Sequence, residues 1–244
     1  TCLKKSNYDF IMVMLPWNII EIMLPIVIKN SKKKIIFSEK PVALSLKKLS
    51  YLTNICAKYN KNVYVLYNRR FYEVFKITQK YLKNNRLLNF EMTINENEKE
   101  LIKKKSRKII GNIRYHITSH WIDLVMWLLK IKNFKVIKFN NSYTLISDKN
   151  YQININYKGG KPISMKFDFK NFTLKTKSLE KLYLIKKNKE KLIINEKKMI
   201  NFKPGILNLA KSIKRLSERK KIDSRLLNLK DLKNLYRILN YLRR

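Results

Sequence analysis

The sequence predicts an α/β protein that contains half of a doubly wound parallel sheet, followed by an α+β domain on a larger mixed or antiparallel sheet. Up to Phe71, short apolar runs typical of strands buried on both faces alternate with helical patterns. Beyond Phe71, strand-like runs with polar residues on one face predominate, separated by turn signals. The chain has 244 residues, of which 45% are hydrophobic, enough for a substantial core. We therefore divide it into domains 1–71 and 72–244.

The first domain is predicted to follow the order β-α-β-α-β. Pro16 and Pro41 end the first two strands, and Ser45 is a suitable N-cap for the second helix. The short connections are typical of parallel α/β sheets. The predicted elements are Phe10–Leu15, Trp17–Asn30, Ile35–Ser38, Leu46–Tyr59 and Val63–Tyr67.

The second domain is predicted to combine helices with a run of strands. A highly charged stretch, Glu96–Asn112, is expected to be a loop. Turns are indicated at Asn140-Asn141, Gly159-Gly160 and Lys187-Asn188. The predicted helices are Tyr72–Leu82, His116–Leu129, Ile206–Ser217 and Lys230–Leu242, and the predicted strands include Leu87–Ile94, Tyr151–Tyr157, Ile163–Phe169 and Leu179–Ile185.

The charge of the chain is strongly positive, with a formal net value of +38. Lys supplies 44 of the 55 basic residues and is spread along the whole length. Specific recognition of phosphate and bases favours the bidentate fork of Arg. The pattern therefore favours a compositional bias over specific nucleic-acid binding, with salt-dependent, non-specific binding of polyanions. A basic polyanion-binding module remains an alternative function.

Two further features concern location. The apolar segment Phe10–Ile28 is long enough to approach a membrane span, but Glu21 and the two prolines within it favour a strand followed by a helix. We expect no membrane association. Cys2 and Cys56 form no disulfide framework, which is compatible with a reducing cytoplasm.

Three short segments follow the predicted parallel strands, and ligands of such sheets bind beyond the carboxyl ends of the strands. Each segment alone has an ordinary structural interpretation: a strand end, a solvated loop or surface charge. Together they converge on one edge of one sheet and predict a binding site there. The segments are Pro16-Trp17-Asn18, Glu39-Lys40-Pro41 and Asn68-Arg69-Arg70-Phe71.

Three motifs follow one another along the chain: Ser38-Glu39-Lys40-Pro41, Tyr67-Asn68-Arg69-Arg70-Phe71, and Ser119-His120-Trp121-Ile122-Asp123-Leu124. In this order they carry a resemblance to the Gfo/Idh/MocA oxidoreductases. It spans essentially the whole chain, and three motifs with fitting spacing are more specific than any one of them.

The resemblance implies a Rossmann-type domain and hydride transfer between NAD or NADP and a sugar, nucleotide sugar or polyol. It also implies a cis Lys40–Pro41 bond and homo-oligomer contacts through the C-terminal sheet. Asp123 has either a structural role, in helix packing or capping, or a catalytic one. The implied catalytic residues are Lys40 and His120; those for the cofactor are Leu15, Pro16, Trp17, Glu39, Lys40 and Asn68; those for the substrate are Arg69, His116 and His120.

Two departures from the family pattern bear on activity. His116 occupies the position where the family commonly has an aspartate, so two histidines share one predicted helical face. Zinc is disfavoured there because no third ligand is indicated, and we expect no metal. No Gly-x-Gly-x-x-Gly turn is present, because the glycines stand only at 111, 159, 160 and 205. We therefore expect an N-terminally truncated chain, inactive alone, with a non-catalytic relative as the alternative.

Overall fold

The computed structural model describes residues 8–97, 99–100, 103, 112–140, 142–160, 162–196, 203–218 and 222–242. The chain separates into two compact units. The first comprises Thr1–Tyr67, Arg114–His120 and Leu209–Arg243, and the second comprises Asn68–Ile113 and Trp121–Asn208. The sequence-based division near Phe71 differs from this one, because two later segments of the chain lie in the first unit.

The elements of both units follow in chain order. They are β1 (Ile11–Val13), α1 (Trp17–Asn30), β2 (Ile35–Ser38), α2 (Leu46–Lys58), β3 (Asn62–Val65), α3 (Glu73–Asn84), β4 (Leu87–Asn95), α4 (Ser119–Leu129), β5 (Phe134–Phe139), β6 (Ser142–Ser147), β7 (Gln152–Asn156), β8 (Ser164–Phe169), β9 (Thr173–Lys177), β10 (Lys181–Lys186), β11 (Lys189–Asn195), α5 (Ile206–Ser217), β12 (Leu227–Asn228) and α6 (Lys233–Tyr241). A 3-10 turn covers Asn68–Phe71, a second covers Leu229–Leu232, and a π-helix covers Arg114–Thr118.

The first unit contains a four-stranded sheet in the order β1-β2-β3-β12. The first three strands are parallel, as the β-α-β-α-β pattern predicts, and β12 pairs antiparallel with β3. The Ser45 side chain accepts a hydrogen bond from the Lys48 amide at 3.1 Å, which confirms the predicted N-cap of α2. The strands β2 and β3 lie in the core of this unit, where Ile36, Phe37 and Val63 are almost wholly inaccessible to solvent.

The second unit contains an eight-stranded mixed sheet in the order β11-β10-β9-β8-β4-β7-β6-β5. Among the strand pairs that the structure describes there, β4 with β7 is parallel and the others are antiparallel. Burial alternates along β6, as expected for a sheet with one face covered. Phe90, Leu145, Ile153 and Phe167 are fully buried on that face. The predicted α/β fold class is confirmed.

Two predicted segments need comment. The helix predicted over His116–Leu129 begins earlier, and its first part is the π-helix rather than a regular α-helix. Most of Glu96–Asn112 lies outside the described residues, as do Asn141 and Cys2. No helix within the described ranges is both long and apolar enough to cross a membrane.

Candidate active site

The carboxyl ends of the three parallel strands lie side by side in the first unit. The Glu39 amide donates to the Val13 carbonyl at 3.0 Å, and the Leu66 amide donates to the Ser38 carbonyl at 3.0 Å. Lys40 leaves the sheet at this edge, and the Lys40–Pro41 peptide bond is cis, as the resemblance implies. This edge is where an open parallel sheet binds its ligands.

Three of the predicted site residues come together at this edge. The Lys40 ammonium donates to the main-chain carbonyl of His116. The His116 ring lies edge-on to the Trp17 ring, with centroids 4.9 Å apart and planes at 80°. A lysine that follows β2 is therefore linked to the π-helix, and the π-helix to the first turn of α1.

The segment that carries Lys40 is held by two side chains. The Tyr236 hydroxyl, from α6, donates to the Ala43 carbonyl at 2.9 Å, and the Leu44 amide donates to Glu21 Oε1 at 3.3 Å. Burial raises the pKa of Tyr236 well above its usual value, so the phenol keeps its donor proton. Sequence reasoning missed both residues, because neither belongs to a motif.

His120 lies in the first turn of α4 and is largely buried, with 8% of its surface exposed. Its ring contacts the Tyr67 ring edge-on, at a centroid separation of 5.3 Å. The prediction that His116 and His120 share one face assumed α-helical spacing, but residues 114–118 have the wider π-helical turn. The two rings contact different aromatic residues.

The remaining predicted residues of this edge present a more open surface. Leu15 and Pro16 are exposed, and Met14 beside them is 57% exposed. Glu39 is half-buried between β2 and Lys40.

Asn68 and Arg69 belong to the second unit, where Arg69 forms part of a separate cluster. The Arg69 guanidinium stacks on the Trp121 ring, 3.1 Å from its centroid, and the Trp121 indole donates to Glu96 Oε1 at 2.7 Å. Burial lowers the pKa of Arg69 to about 10, an effect opposed by Tyr72 and Glu96. Among the described residues, Arg69 Nη1 has no hydrogen-bond partner. Sequence reasoning did not identify Glu96 or Trp121 as its supports.

Clusters of side chains able to bind a metal were also sought among the described residues. The residues that the structure describes include no group of three or more His, Cys, Asp or Glu side chains able to hold a metal ion.

No protein-family model and no curated protein sequence matches the chain. Its fold, however, is similar to that of several solved structures. A super-repressor mutant of Gal80p from Saccharomyces cerevisiae has a TM-score of 0.77 and 15% identity, over 98% of this chain and 78% of that one.

Two oxidoreductases have similar values. An oxidoreductase from Agrobacterium radiobacter, in complex with NAD+, L-tartaric acid and magnesium, has a TM-score of 0.71 and 11% identity, over 96% of this chain and 77% of its own. A Gfo/Idh/MocA family oxidoreductase from Vibrio cholerae has a TM-score of 0.69 and 12% identity, over 95% and 76%. The predicted resemblance is confirmed at the level of the fold.

Proposed function

We propose that this chain, whose fold is that of the Gfo/Idh/MocA oxidoreductases, transfers hydride between a nicotinamide cofactor and a sugar, nucleotide sugar or polyol. The observation that carries the proposal is the Lys40 ammonium, held by the His116 carbonyl at the carboxyl edge of the parallel sheet. A fixed cation at this edge suits a reaction in which an oxygen gains negative charge.

The residues of this edge fit the nicotinamide end of a dinucleotide. Leu15, Pro16 and Trp17 offer an apolar surface for the ring and ribose, with Glu39 and Lys40 beside them as polar contacts. The pyrophosphate end needs a glycine-rich turn, and residues 1–67, 114–120 and 209–243 contain no glycine. When bound, the cofactor supplies the hydride donor or acceptor. We assign only its nicotinamide end to these residues; NAD and NADP are equally compatible.

The mechanism assigns one proton-handling role to each of two side chains. Lys40 Nζ donates to the substrate oxygen and stabilises the negative charge that develops as the C–H bond breaks. The His120 imidazole accepts the hydroxyl proton during oxidation and returns it during reduction, which an imidazole can do near neutral pH. His116 positions Lys40 through its carbonyl and contacts the substrate.

We assign to Arg69, in the second unit, the binding of an anionic or hydroxyl group. Its guanidinium carbon lies 3.1 Å from the Trp121 ring centroid, and the Nη1 atom keeps unused donor capacity. Arg binds phosphate and carboxylate groups bidentately, so a nucleotide sugar or sugar acid suits it. We also propose a homo-oligomer formed through the larger sheet, which light scattering after size-exclusion chromatography tests.

The test separates cofactor binding from turnover. Nicotinamide mononucleotide carries the nicotinamide end alone, so its binding does not require a glycine turn. We expect the mononucleotide to quench the tryptophan fluorescence of the chain. The Trp17→Phe variant is expected to lose that quenching, and the Lys40→Met variant is expected to bind the mononucleotide more weakly. Lys47→Met, an exposed lysine on α2, is the matched control. Unchanged binding in both Trp17→Phe and Lys40→Met would contradict the site.

Turnover is measured by nicotinamide absorbance with NADH and NADPH against sugars, nucleotide sugars and polyols. We expect His120→Asn to reduce kcat by roughly 10²-fold or more with unchanged mononucleotide affinity. A chain that binds the mononucleotide but turns over no substrate fits both the expected inactivity of the chain alone and the non-catalytic alternative. That alternative is favoured by the likeness to Gal80p, a transcriptional regulator with the same fold.

A further inference from the structure

We propose that a cleft in the second unit binds a small organic anion with an apolar body. The cleft has a volume of about 580 Å³. It lies where the last turns of α3 and α4 approach the start of β4 and the turn between β6 and β7. Small-molecule sites commonly enclose roughly 300–1,000 Å³, so the cleft can hold a ligand of ordinary size. Its lining shares no residue with the site of Lys40 and His120.

The mouth of the cleft is positively charged. Lys83, Arg86, Lys130 and Lys149 line it with exposed side chains, from the junction of α3 and β4, the end of α4, and the turn between β6 and β7. The lining residues that the structure describes include no carboxylate, although Asp148 in the neighbouring turn acts electrostatically on Tyr151. Four cations against one nearby carboxylate leave a positive potential, which attracts an anion and disfavours a cation.

Part of the wall of the cleft is apolar, with Gln79 and Asn85 as polar residues beside the leucines. Leu128 and Leu129 are buried, and Leu82 and Leu87 are half-buried. The Tyr151 hydroxyl donates to the Leu87 carbonyl at 3.4 Å, which keeps the ring in place as part of the wall. Two contributions therefore favour binding of a ligand: burial of its hydrocarbon against the leucines, and attraction of its negative charge to the cations at the mouth.

Lys130 is held at the mouth by the end of α4. Its φ of 55° lies in the left-handed region, and the Ile131 amide donates to the Met126 carbonyl at 3.1 Å. This is the backbone of a helix C-terminus, at which Gly is the most favourable residue. Lys130→Gly therefore removes a cation without straining the fold.

The combination of features selects the ligand class. Inorganic phosphate would not use the leucine wall, and a neutral hydrocarbon would not use the four cations. A carboxylate or phosphate monoester on an aliphatic or aromatic body uses both. Octanoate is a suitable probe, with octan-1-ol as its neutral counterpart and acetate as its counterpart without the hydrocarbon.

The experiment is a titration of the chain with octanoate. Binding is measured by calorimetry and by the shifts of the leucine methyl signals in NMR spectra. We expect binding of one octanoate, with shifts at Leu82, Leu87, Leu128 and Leu129. Lys83→Ala combined with Lys130→Gly is expected to weaken binding at least about ten-fold. The control is Lys80→Ala with Lys132→Ala, which removes the same charge from exposed positions outside the lining.

Three outcomes overturn the proposal. Equal weakening by the two double variants would show general attraction to a basic protein. If octan-1-ol binds as tightly as octanoate, the cations make no contribution to binding. If acetate binds as tightly as octanoate, the leucine wall makes none. Retained thermal stability of the Lys130→Gly variant shows that lost binding is not lost folding.

Discussion

Arg70 and Asp123 form a doubly hydrogen-bonded ion pair inside the second unit. Arg70 Nε donates to Asp123 Oδ2 at 2.8 Å, and Arg70 Nη2 donates to Oδ1 at 2.6 Å. Only 8% and 4% of the two side chains are exposed. The sequence left Asp123 with two interpretations, and this pairing supports the structural one, because both carboxylate oxygens are occupied by Arg70.

Asp123→Ala is expected to lower the free energy of unfolding by about 3–5 kcal/mol, because it leaves a buried guanidinium unpaired. Urea denaturation measures the change. Arg70→Met with Asp123→Leu is expected to recover most of it, since no buried charge remains. The control is Glu190→Ala, which breaks the exposed pair with Lys177 and is expected to cost less than about 1 kcal/mol. Equal costs for Asp123→Ala and Glu190→Ala would show that burial of the pair is unimportant.

Gly205 is expected to tolerate no side chain. Its φ is +76°, and a Cβ atom there would lie 2.6 Å from the Asn68 carbonyl oxygen. Gly205→Ala is therefore expected to cost more than about 2 kcal/mol, measured by thermal and urea denaturation. Gly159→Ala is the control, because its φ is similarly positive but its nearest neighbour is the Asn97 side chain at 3.3 Å. If the two variants lose the same stability, backbone crowding at Gly205 has no effect of its own.

Asp223 is expected to make folding of the first unit sensitive to acid. Burial raises the pKa of its carboxyl, but hydrogen bonds from Arg225 and Ser212 outweigh burial, and the pKa falls to about 2. The unfolded-state value is about 3.9, so the stabilisation is complete above that pH and is lost as the pH falls towards 2. It amounts to roughly 2 kcal/mol.

The measurement compares urea midpoints at about pH 6 and about pH 3. Asp223→Asn is expected to lower stability at the higher pH and to approach the unsubstituted chain at the lower one. Asp148→Asn, at an exposed turn position, is the control. A constant difference between Asp223→Asn and the unsubstituted chain at both pH values would contradict the assignment.

Cys56 is expected to be unreactive in the folded chain. Burial within α2 raises the pKa of the thiol to about 11, whereas an unfolded cysteine titrates near about 8.5. Near neutral pH, alkylation by iodoacetamide should be roughly two orders of magnitude slower in the folded chain than in urea, because only the thiolate reacts. Site-resolved mass spectrometry measures both rates.

The matched control for Cys56 is Ser50→Cys, which places a thiol on the exposed face of the same helix. That thiol should react at nearly the same rate in the folded and the unfolded chain. Comparable protection of both cysteines would indicate that the helix, and not burial of Cys56, limits the reaction.

The sequence by itself determined the local elements. Trp17–Asn30, Ile35–Ser38 and Ile206–Ser217 have the same bounds in the prediction and in the structure. Apolar periodicity, prolines at strand ends and the Ser45 cap are properties of neighbouring residues, so they can be recognised without knowing the fold. The motifs likewise placed Lys40 at the edge of the parallel sheet, because the strand before it could be recognised.

Only the tertiary structure decided which distant groups meet. Tyr236 supports Ala43 from 193 residues away, and β12 returns to pair with β3. Arg70 binds Asp123, whereas Arg69 lies over the Trp121 ring. The sequence does not distinguish these partners, because the two arginines are adjacent. Periodicity indicates which residues turn inward but not which residues they contact. Those contacts depend on how each unit packs its own core, which no local stretch of sequence determines.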